Sequence, residues 1–258
     1  ALVLEKARLQ WPDDQDLTLS HAINLGEAGD GKRAEALFAI GRRPTASWDA
    51  ARARNLLRLG DPQAAERLLA PIVAADLTDI TAWALIDIAW RLTANPRHMW
   101  LHGQDGLVRQ LDLAVGDLDA VRSVLADIHA GAGMPIGQSV KSGSQTRGAL
   151  FARMEPEVAA FRAAVEDALA EYRAGLPPHD PTHPLLARRD DPWSITGSWS
   201  ILLDGEGHHA PHIHPRGVIS SASYLIVPDE VDDAERSGWL ELGRPPTEMS
   251  IDLEPLRA

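Results

Sequence analysis

The first half of the chain follows a helical pattern of apolar and polar positions. From residue 1 to about 130, Ala, Leu, Arg and Glu dominate, and apolar residues recur at intervals of three and four. This spacing places the apolar side chains on one face of a helix. It predicts a series of amphipathic helices, which continue through 94–135 with breaks at Gly103, Gly106 and Gly116.

Two segments of this half resemble each other. "AGDGKRAEALF" at 28–38 and "LGDPQAAERLL" at 59–69 share a Gly-Asp pair, then three residues, Ala-Glu and an apolar pair. We expect each Gly-Asp to end one helix and cap the next, with the small Ala34 and Ala65 allowing close helix packing. The pattern is typical of tetratricopeptide-like repeats of about 34 residues. An ordinary helical bundle whose turns share a Gly-Asp is the alternative.

The pattern changes after about residue 133. Gly, Ser and Thr are frequent in "MPIGQSVKSGSQTRGALF" at 134–151, as in loops and short strands. One further helix is predicted to begin at Pro156 and to end at Gly175. Its apolar stripe, which we assign to packing, consists of Val158, Phe161, Val165, Leu169 and Tyr172.

Strand-like patterning follows from Trp193. The segments 193–203, 217–227 and 237–243 are predicted as strands joined by polar turns, and the first of them alternates and is β-branched in part. No alternation of strands and helices is present, which argues against a parallel sheet. The sequence therefore predicts an α+β protein in which helical repeats precede an antiparallel jelly roll.

Composition narrows the range of partners and locations. The formal net charge of −12 argues against binding to a phosphate backbone. No cysteine is present, so disulfides and thiolate metal sites are excluded. The N-terminal segment does not have the pattern of a signal peptide, and no run of eighteen apolar residues occurs. We expect a cytoplasmic protein that contacts neither membrane nor nucleic acid.

A histidine-rich segment, "GEGHHAPHIHPRG" at 205–217, is the strongest chemical feature. In a strand, His212 and His214 would lie on the same face, as half of a mononuclear metal site whose third ligand comes from elsewhere. The flanking prolines place the pair at a strand end or edge. His208 and His209 are expected in a Gly-rich turn, facing solvent. A polar loop with exposed imidazoles is the alternative.

Taken together, these motifs resemble one family. "GSWSILLDGEGHHAPHIHPRGVISSASYLIVPDE" and "SGWLELGRPP" are similar to the double-stranded β-helix of iron(II)- and 2-oxoglutarate-dependent oxygenases, in a branch often fused to tetratricopeptide repeats. The upstream "SGSQTRGALF" and "HPLLARR" also look like the segments that lead into that barrel. The resemblance covers roughly residues 95–258.

The resemblance implies roles for three residues. His212 matches the first iron ligand, and His214 matches a position that is Asp or Glu in most of the superfamily. An imidazole at that position leaves the site one negative charge short of the usual triad of two histidines and one carboxylate. Tyr224 matches a tyrosine that hydrogen-bonds the distal carboxylate of 2-oxoglutarate. A core aromatic with a locally satisfied hydroxyl is the alternative for Tyr224.

The resemblance also implies that the family pattern continues beyond residue 258. A double-stranded β-helix needs about eight strands, of which about four are visible here. The third histidine ligand and an Arg or Lys for 2-oxoglutarate are expected beyond this point, so that residues 1–258 alone would be inactive. We predict helical repeats at 1–93, a helical connector at 94–135 and the first part of the jelly roll at 136–258.

The function that follows is that of a 2-oxoglutarate-dependent dioxygenase. It would use O₂ and 2-oxoglutarate, with Fe(II), to hydroxylate a peptide or protein recruited by the helical repeats. No general acid, base or nucleophile is indicated. One alternative is a non-catalytic tetratricopeptide interaction protein with a degenerate jelly-roll domain. Another is a cupin-like metalloenzyme without 2-oxoglutarate, against which Tyr224 argues.

Overall fold

A computed structural model describes residues 2–41, 45–133, 139–227 and 238–257. In chain order, the helices are α1 (Leu2–Gln10), α2 (Gln15–Glu27), α3 (Gly31–Ala39), α4 (Ala46–Arg58), α5 (Pro62–Ala75), α6 (Ile80–Leu92), α7 (Arg97–His102), α8 (Leu118–Ala130) and α9 (Pro156–Ala174). The strands are β1 (Val140–Gln145), β2 (Ile201–His209), β3 (Glu241–Leu242) and β4 (Leu256–Arg257). Short 3₁₀ turns lie at Leu150–Ala152, Leu186–Arg188 and Thr247–Met249.

The chain divides into two compact units. The first contains residues 1–102, 213–215 and 243–255, and the second contains 103–212, 216–242 and 256–258. The first unit contains α1 to α7, while the second contains α8, α9 and the strands. The α+β class predicted from the sequence is confirmed, and its small antiparallel sheets agree with a partial jelly roll.

Consecutive helices of the first unit pack against each other around two apolar clusters. The larger cluster, from α4, α5 and α6, is centred on fully buried side chains such as Leu69, Ile86 and Trp90. The smaller one joins α2, α3 and the start of α4, where the rings of Phe38 and Trp48 meet edge to face at 5.8 Å. In α2 to α6 the predicted apolar positions are thus buried between neighbouring helices, whereas α1 and α7 contain no buried residue.

The two Gly-Asp turns adopt the predicted geometry. Gly29 and Gly60 have left-handed φ angles of 85° and 78°, which glycine adopts without a steric penalty. The carboxylates of Asp30 and Asp61 then accept a backbone N–H in the first turn of α3 and α5. The turn prediction is confirmed, and assignment to the tetratricopeptide class stays a prediction.

The later part of the chain also contributes to the first unit. Met249 is 1% exposed and belongs to the larger cluster. The guanidinium of Arg91, on α6, donates to the carbonyl oxygens of Gly243 and Glu254. Segment 243–255 is therefore held by the packing of Met249, Ile251 and Leu253 on the larger cluster and by hydrogen bonds from Arg91.

The second unit is built around α8 and α9. Helix α9 begins at Pro156 and is capped by Gly175, as predicted. Its stripe packs as expected: Val158 and Phe161 are buried with Val121 and Leu125 of α8, and Val165 packs at the edge of this cluster. Among the helices of the described residues, none combines the length and the apolar character needed to cross a membrane.

The strands differ from the prediction in two places. Segment 217–227 was predicted as a strand and is not one, because no described strand pairs with it. In 193–203, only the residues from Ile201 onward are in a strand, and the described part of 237–243 has only two strand residues. By contrast β1, in a segment predicted as loops and short strands, pairs antiparallel with β2, and β3 pairs with β4.

Candidate functional site

The histidine-rich segment begins in an irregular two-stranded ladder. β1 and β2 pair from Gln145↔Ile201 to Val140↔His209, with a bulge between Lys141 and Gly143. The β2 backbone comes so close there that a Cβ at Gly207 would clash with the carbonyl oxygen of Ser142. The ladder therefore requires glycine in β2, and the bulge bends the strand before it reaches the histidines.

The "GSWS" segment before β2 extends this pairing. Ser200 and Thr146 exchange two hydrogen bonds, from Thr146 N to Ser200 O at 3.0 Å and from Ser200 N to Thr146 Oγ1 at 2.9 Å. Ser198 accepts the N–H of Leu150 on its carbonyl oxygen and that of Phe151 on its hydroxyl. The two segments that carry much of the family resemblance, "SGSQTRGALF" and "GSWS", are thus bonded to each other.

A buried histidine of α8 contacts both β1 and the residue that precedes β2. His129 contacts Ser144 Oγ with Nδ1 at 2.8 Å and Ser200 Oγ with Nε2 at 2.9 Å. Burial lowers the pKa of His129, which favours the neutral ring. A neutral ring donates with one nitrogen and accepts with the other, so both serine contacts are satisfied.

Sequence reasoning missed His129. Its sequence signal is weak, because a single histidine in the last turn of a helix normally indicates only a favourable C-terminal charge. The serines of the "GSWS" segment were the better indication of this contact. Hydroxyl groups that become partly buried need hydrogen-bond partners, and a histidine side chain can supply one.

His208 and His209 lie in β2 and not in the predicted turn. They pair with Lys141 and Val140 as the last residues of the strand, and this part of the prediction was wrong. Both side chains are exposed, as expected. The ring of His209 lies 5.5 Å from the ring of His212, centroid to centroid, so two imidazoles meet at the end of β2.

His212 lies just beyond the strand, and its ring is oriented by a backbone group. Ala210 N donates to Ser139 O at 2.9 Å, and Ala210 O contacts His212 Nδ1 at 2.9 Å. A carbonyl oxygen can only accept, so Nδ1 donates its proton here, and the lone pair of the neutral ring then lies on Nε2. Metal-binding histidines are commonly oriented in this way by a second hydrogen bond. His212 therefore has the tautomer of an Nε2 metal ligand.

The other predicted ligand, His214, belongs to the other compact unit of the chain. His214 is half-buried and falls in the first unit with Ile213 and Pro215, whereas His212 falls in the second. Among the described residues, no group of three or more His, Asp or Glu side chains could hold a metal ion. The described residues thus provide one oriented imidazole and do not complete a metal site.

Tyr224 lies in the extended segment that follows. Its side chain is 56% exposed, so it is not a core aromatic. The next residue is anchored: Leu225 packs at the edge of the α8–α9 cluster, and its carbonyl oxygen accepts from Arg122 Nε at 2.7 Å. The backbone at Tyr224 is therefore fixed against α8, while the ring remains accessible.

A family model described as "Putative 2OG-Fe(II) oxygenase" matches residues 197–254. The match begins at the "GSWS" segment and includes His212, His214 and Tyr224, but it covers less than a quarter of the chain. No curated protein and no solved structure matches the chain. The similarity thus indicates an oxygenase-like region, in a family whose description names Fe(II) and 2-oxoglutarate.

Proposed function

We propose that residues 197–254 are part of the catalytic domain of a 2-oxoglutarate- and Fe(II)-dependent dioxygenase. In this proposal His212 and His214 are iron ligands, and Tyr224 contacts 2-oxoglutarate. The observation that carries it is the oriented imidazole of His212 inside the region matched by the oxygenase family. Other donors must complete the iron site, because the described residues do not form one.

The hydrogen bond to Ala210 supports the role of His212. A carbonyl partner at Nδ1 favours the tautomer whose lone pair lies on Nε2, the nitrogen that would bind the metal. Loss of such a partner typically lowers metal affinity 10- to 100-fold. Ala210 is itself bonded to Ser139, so the orientation of His212 is tied to the residue before β1.

Metal binding by single histidine variants tests the assignment. We expect the complete protein, including the segment that supplies the remaining donors, to bind one Fe(II) per chain, measured anaerobically by calorimetry or with Mn(II) by electron paramagnetic resonance. His212→Ala and His214→Ala should abolish this binding. The matched controls His208→Ala and His209→Ala remove exposed imidazoles next to the site and should have little effect. Equal losses in all four variants would identify an unspecific imidazole cluster.

Binding of 2-oxoglutarate tests the role of Tyr224. A hydrogen bond to a charged carboxylate contributes about 1.5–3 kcal/mol, so Tyr224→Phe should weaken 2-oxoglutarate binding about 10- to 100-fold. Stability should change little, because the ring is more than half exposed and remains in place. Calorimetry with Mn(II) present measures this, and an unchanged affinity would remove Tyr224 from the site.

The interaction-protein alternative makes a different prediction for the same measurements. A degenerate jelly roll would bind neither Fe(II) nor 2-oxoglutarate, whereas a partner peptide would still bind to the helices. The complete dioxygenase should release succinate from 2-oxoglutarate and should lose this activity in His212→Ala, whereas residues 1–258 alone should release none. Peptide binding without metal binding would favour the interaction protein.

A further inference from the structure

Segment 243–255 attaches to the helices through apolar side chains at every second position. Met249, Ile251 and Leu253 pack on the larger cluster, and the residue that follows each of them is exposed. The row begins in the 3₁₀ turn at Thr247–Met249, and the residues after this turn are irregular in conformation. The segment therefore contacts the helices as a bound peptide does, with alternate side chains directed inward.

The backbone of this segment is fixed at both ends. The guanidinium of Arg91, on α6, donates to Gly243 O and, at 2.6 Å, to Glu254 O. Directly outside these residues, β3 pairs antiparallel with β4, which closes the segment into a loop. One arginine thus binds two main-chain carbonyls, a contact that does not depend on the side chains at those positions.

The helices beneath the segment form a core of their own. α4, α5 and α6 pack in sequence order, and side chains such as Ile86 and Trp90 are fully buried between them. To this core the segment adds Met249, which is 1% exposed, whereas Ile251 and Leu253 are only partly buried. Part of the attached row therefore lies at the rim of the cluster, where one peptide can replace another without separating the helices.

The segment has a backbone conformation that its sequence does not favour. Ser250 has a left-handed φ of 53°, in a region that residues other than glycine rarely adopt. It lies between Met249 and Ile251, which pack on the helices, and it is itself exposed. The attachment of its two neighbours therefore sets its conformation, and glycine at this position should fit the surface better.

We propose that the surface of α4 to α6 that holds segment 243–255 is a binding site for a peptide of another protein, one that carries apolar residues at three alternate positions. The chain's own segment is then a competitor that occupies the site until such a partner displaces it. The attached segment supports this inference, because it presents the side-chain pattern that the surface accepts and the carbonyls that Arg91 binds. The inference does not depend on the oxygenase assignment, and its test requires no iron.

Binding of an added peptide to the whole chain tests the site. A fluorescently labelled peptide with the sequence of residues 243–255 is titrated with the protein, and anisotropy measures its affinity. In the double variant Ile251→Ser with Leu253→Ser, the internal competitor loses two anchors and keeps Met249. We expect the peptide to bind this variant at least tenfold more tightly than the unaltered chain. Asp252→Ser, a change at an exposed position of the same segment, should leave the affinity unchanged.

Two altered peptides test whether the surface recognises this pattern. A peptide of the same composition in which Met, Ile and Leu are consecutive should bind the double variant at least tenfold more weakly. A peptide with glycine in place of Ser250 should bind about fivefold more tightly, because the left-handed conformation costs less there. Equal affinity in either comparison would overturn the proposal, as would equal affinity of the double variant and the unaltered chain for the original peptide.

Changes on the helices separate recognition from unspecific adhesion. In the double variant, Arg91→Gln removes the donor to two peptide carbonyls and should weaken binding about 10- to 100-fold, the usual effect of losing hydrogen bonds to a charged group. Arg67→Gln removes the same charge from an exposed position of α5 and should not change the affinity. Equal effects of the two changes would mean that net charge alone attracts the peptide, which would contradict the site.

Stability and self-association supply the remaining outcomes. The double variant should keep its helical circular dichroism signal and its cooperative unfolding in urea, because the replaced side chains lie at the rim of the cluster. Loss of the helical signal would mean that the segment completes the core, and the proposal would fail. Sedimentation of the unaltered chain tests a second copy as the occupant. A dimer that dissociates when the peptide is added would assign the surface to the segment of that copy and overturn the proposal.

Discussion

The bridge made by His129 leads to a quantitative prediction for the second unit. Its two ring nitrogens connect α8 with Ser144 of β1 and Ser200 of the "GSWS" segment, and the side chain is 8% exposed. His129→Ala removes both hydrogen bonds and leaves a space between the helix and the ladder. We expect the β1–β2 ladder to lose its attachment to α8 first.

The magnitude follows from the two contacts and the lost burial. Each hydrogen bond contributes about 1 kcal/mol net, and removing a buried side chain of this size adds about 1 kcal/mol or more. Ser144 and Ser200 are half-buried, so water can reach the hydroxyls that lose their partner, and this limits the penalty. His129→Ala should therefore lower the free energy of unfolding by about 2–3 kcal/mol.

Urea unfolding followed by circular dichroism measures this loss, and amide exchange localises it. His179→Ala is the matched control, because His179 is an exposed histidine of the same unit. A double-mutant cycle with Ser200→Ala isolates the Nε2 bond. A loss below about 0.5 kcal/mol in His129→Ala would refute the idea that this bridge stabilises the ladder.

The lowered pKa of His129 also determines in which direction the free energy of unfolding changes with pH. Because burial lowers the pKa of folded His129 below that of the unfolded chain, about 6.5, the unfolded state binds more protons in mildly acidic solution. The contribution of neutral His129 to the free energy of unfolding is therefore fully present well above pH 6.5. It is lost as the pH falls from there towards the pKa of His129 in the folded protein. Between pH 7.5 and 5.5 the loss is at most about 1.4 kcal/mol. The His129→Ala variant should lack this part of the pH dependence, and an unchanged slope would contradict the assignment.

Two further substitutions test the fold of the first unit. Gly60→Ala places a side chain at a left-handed φ of 78° and should cost about 1 kcal/mol, whereas Gly116→Ala, where φ is not left-handed, should be nearly neutral in urea unfolding. Arg91→Ala removes the donors to Gly243 O and Glu254 O and should cost about 2–3 kcal/mol, with faster proteolysis of segment 243–255. Unchanged proteolysis would show that this arginine does not hold the segment.

The helical part could be predicted because its signals are local. Asp30 and Asp61 cap helices through N–H groups three residues away, and the preceding glycines close the helix before them. Likewise, proline at the first position and glycine after the last position set the limits of α9. Both partners of such a cap or turn lie within three to five residues of each other, so a short stretch of sequence contains all that is needed to predict it.

The strands could not be predicted as well, because a strand exists only with a partner. Segment 217–227 has the residue types of a strand, yet no described strand pairs with it, and Val218, Ile226 and Val227 remain exposed. "VKSGSQ" has weak strand propensity and forms β1 because β2 lies beside it. Strand propensity thus identified segments that can form strands. Which of them do so was decided by pairing between segments some sixty residues apart in the sequence.

The geometry at the histidines shows why spacing alone could not define the candidate site. The argument that His212 and His214 share a face assumes an extended strand with paired neighbours. Pairing of β2 stops after Ala210 N, because Pro211 has no N–H to donate. The His212 ring is then oriented by the carbonyl of Ala210 and not by strand alternation. The orientation of the His212 ring consequently depends on the backbone that ties Ala210 to Ser139, which lies seventy-one residues earlier in the chain.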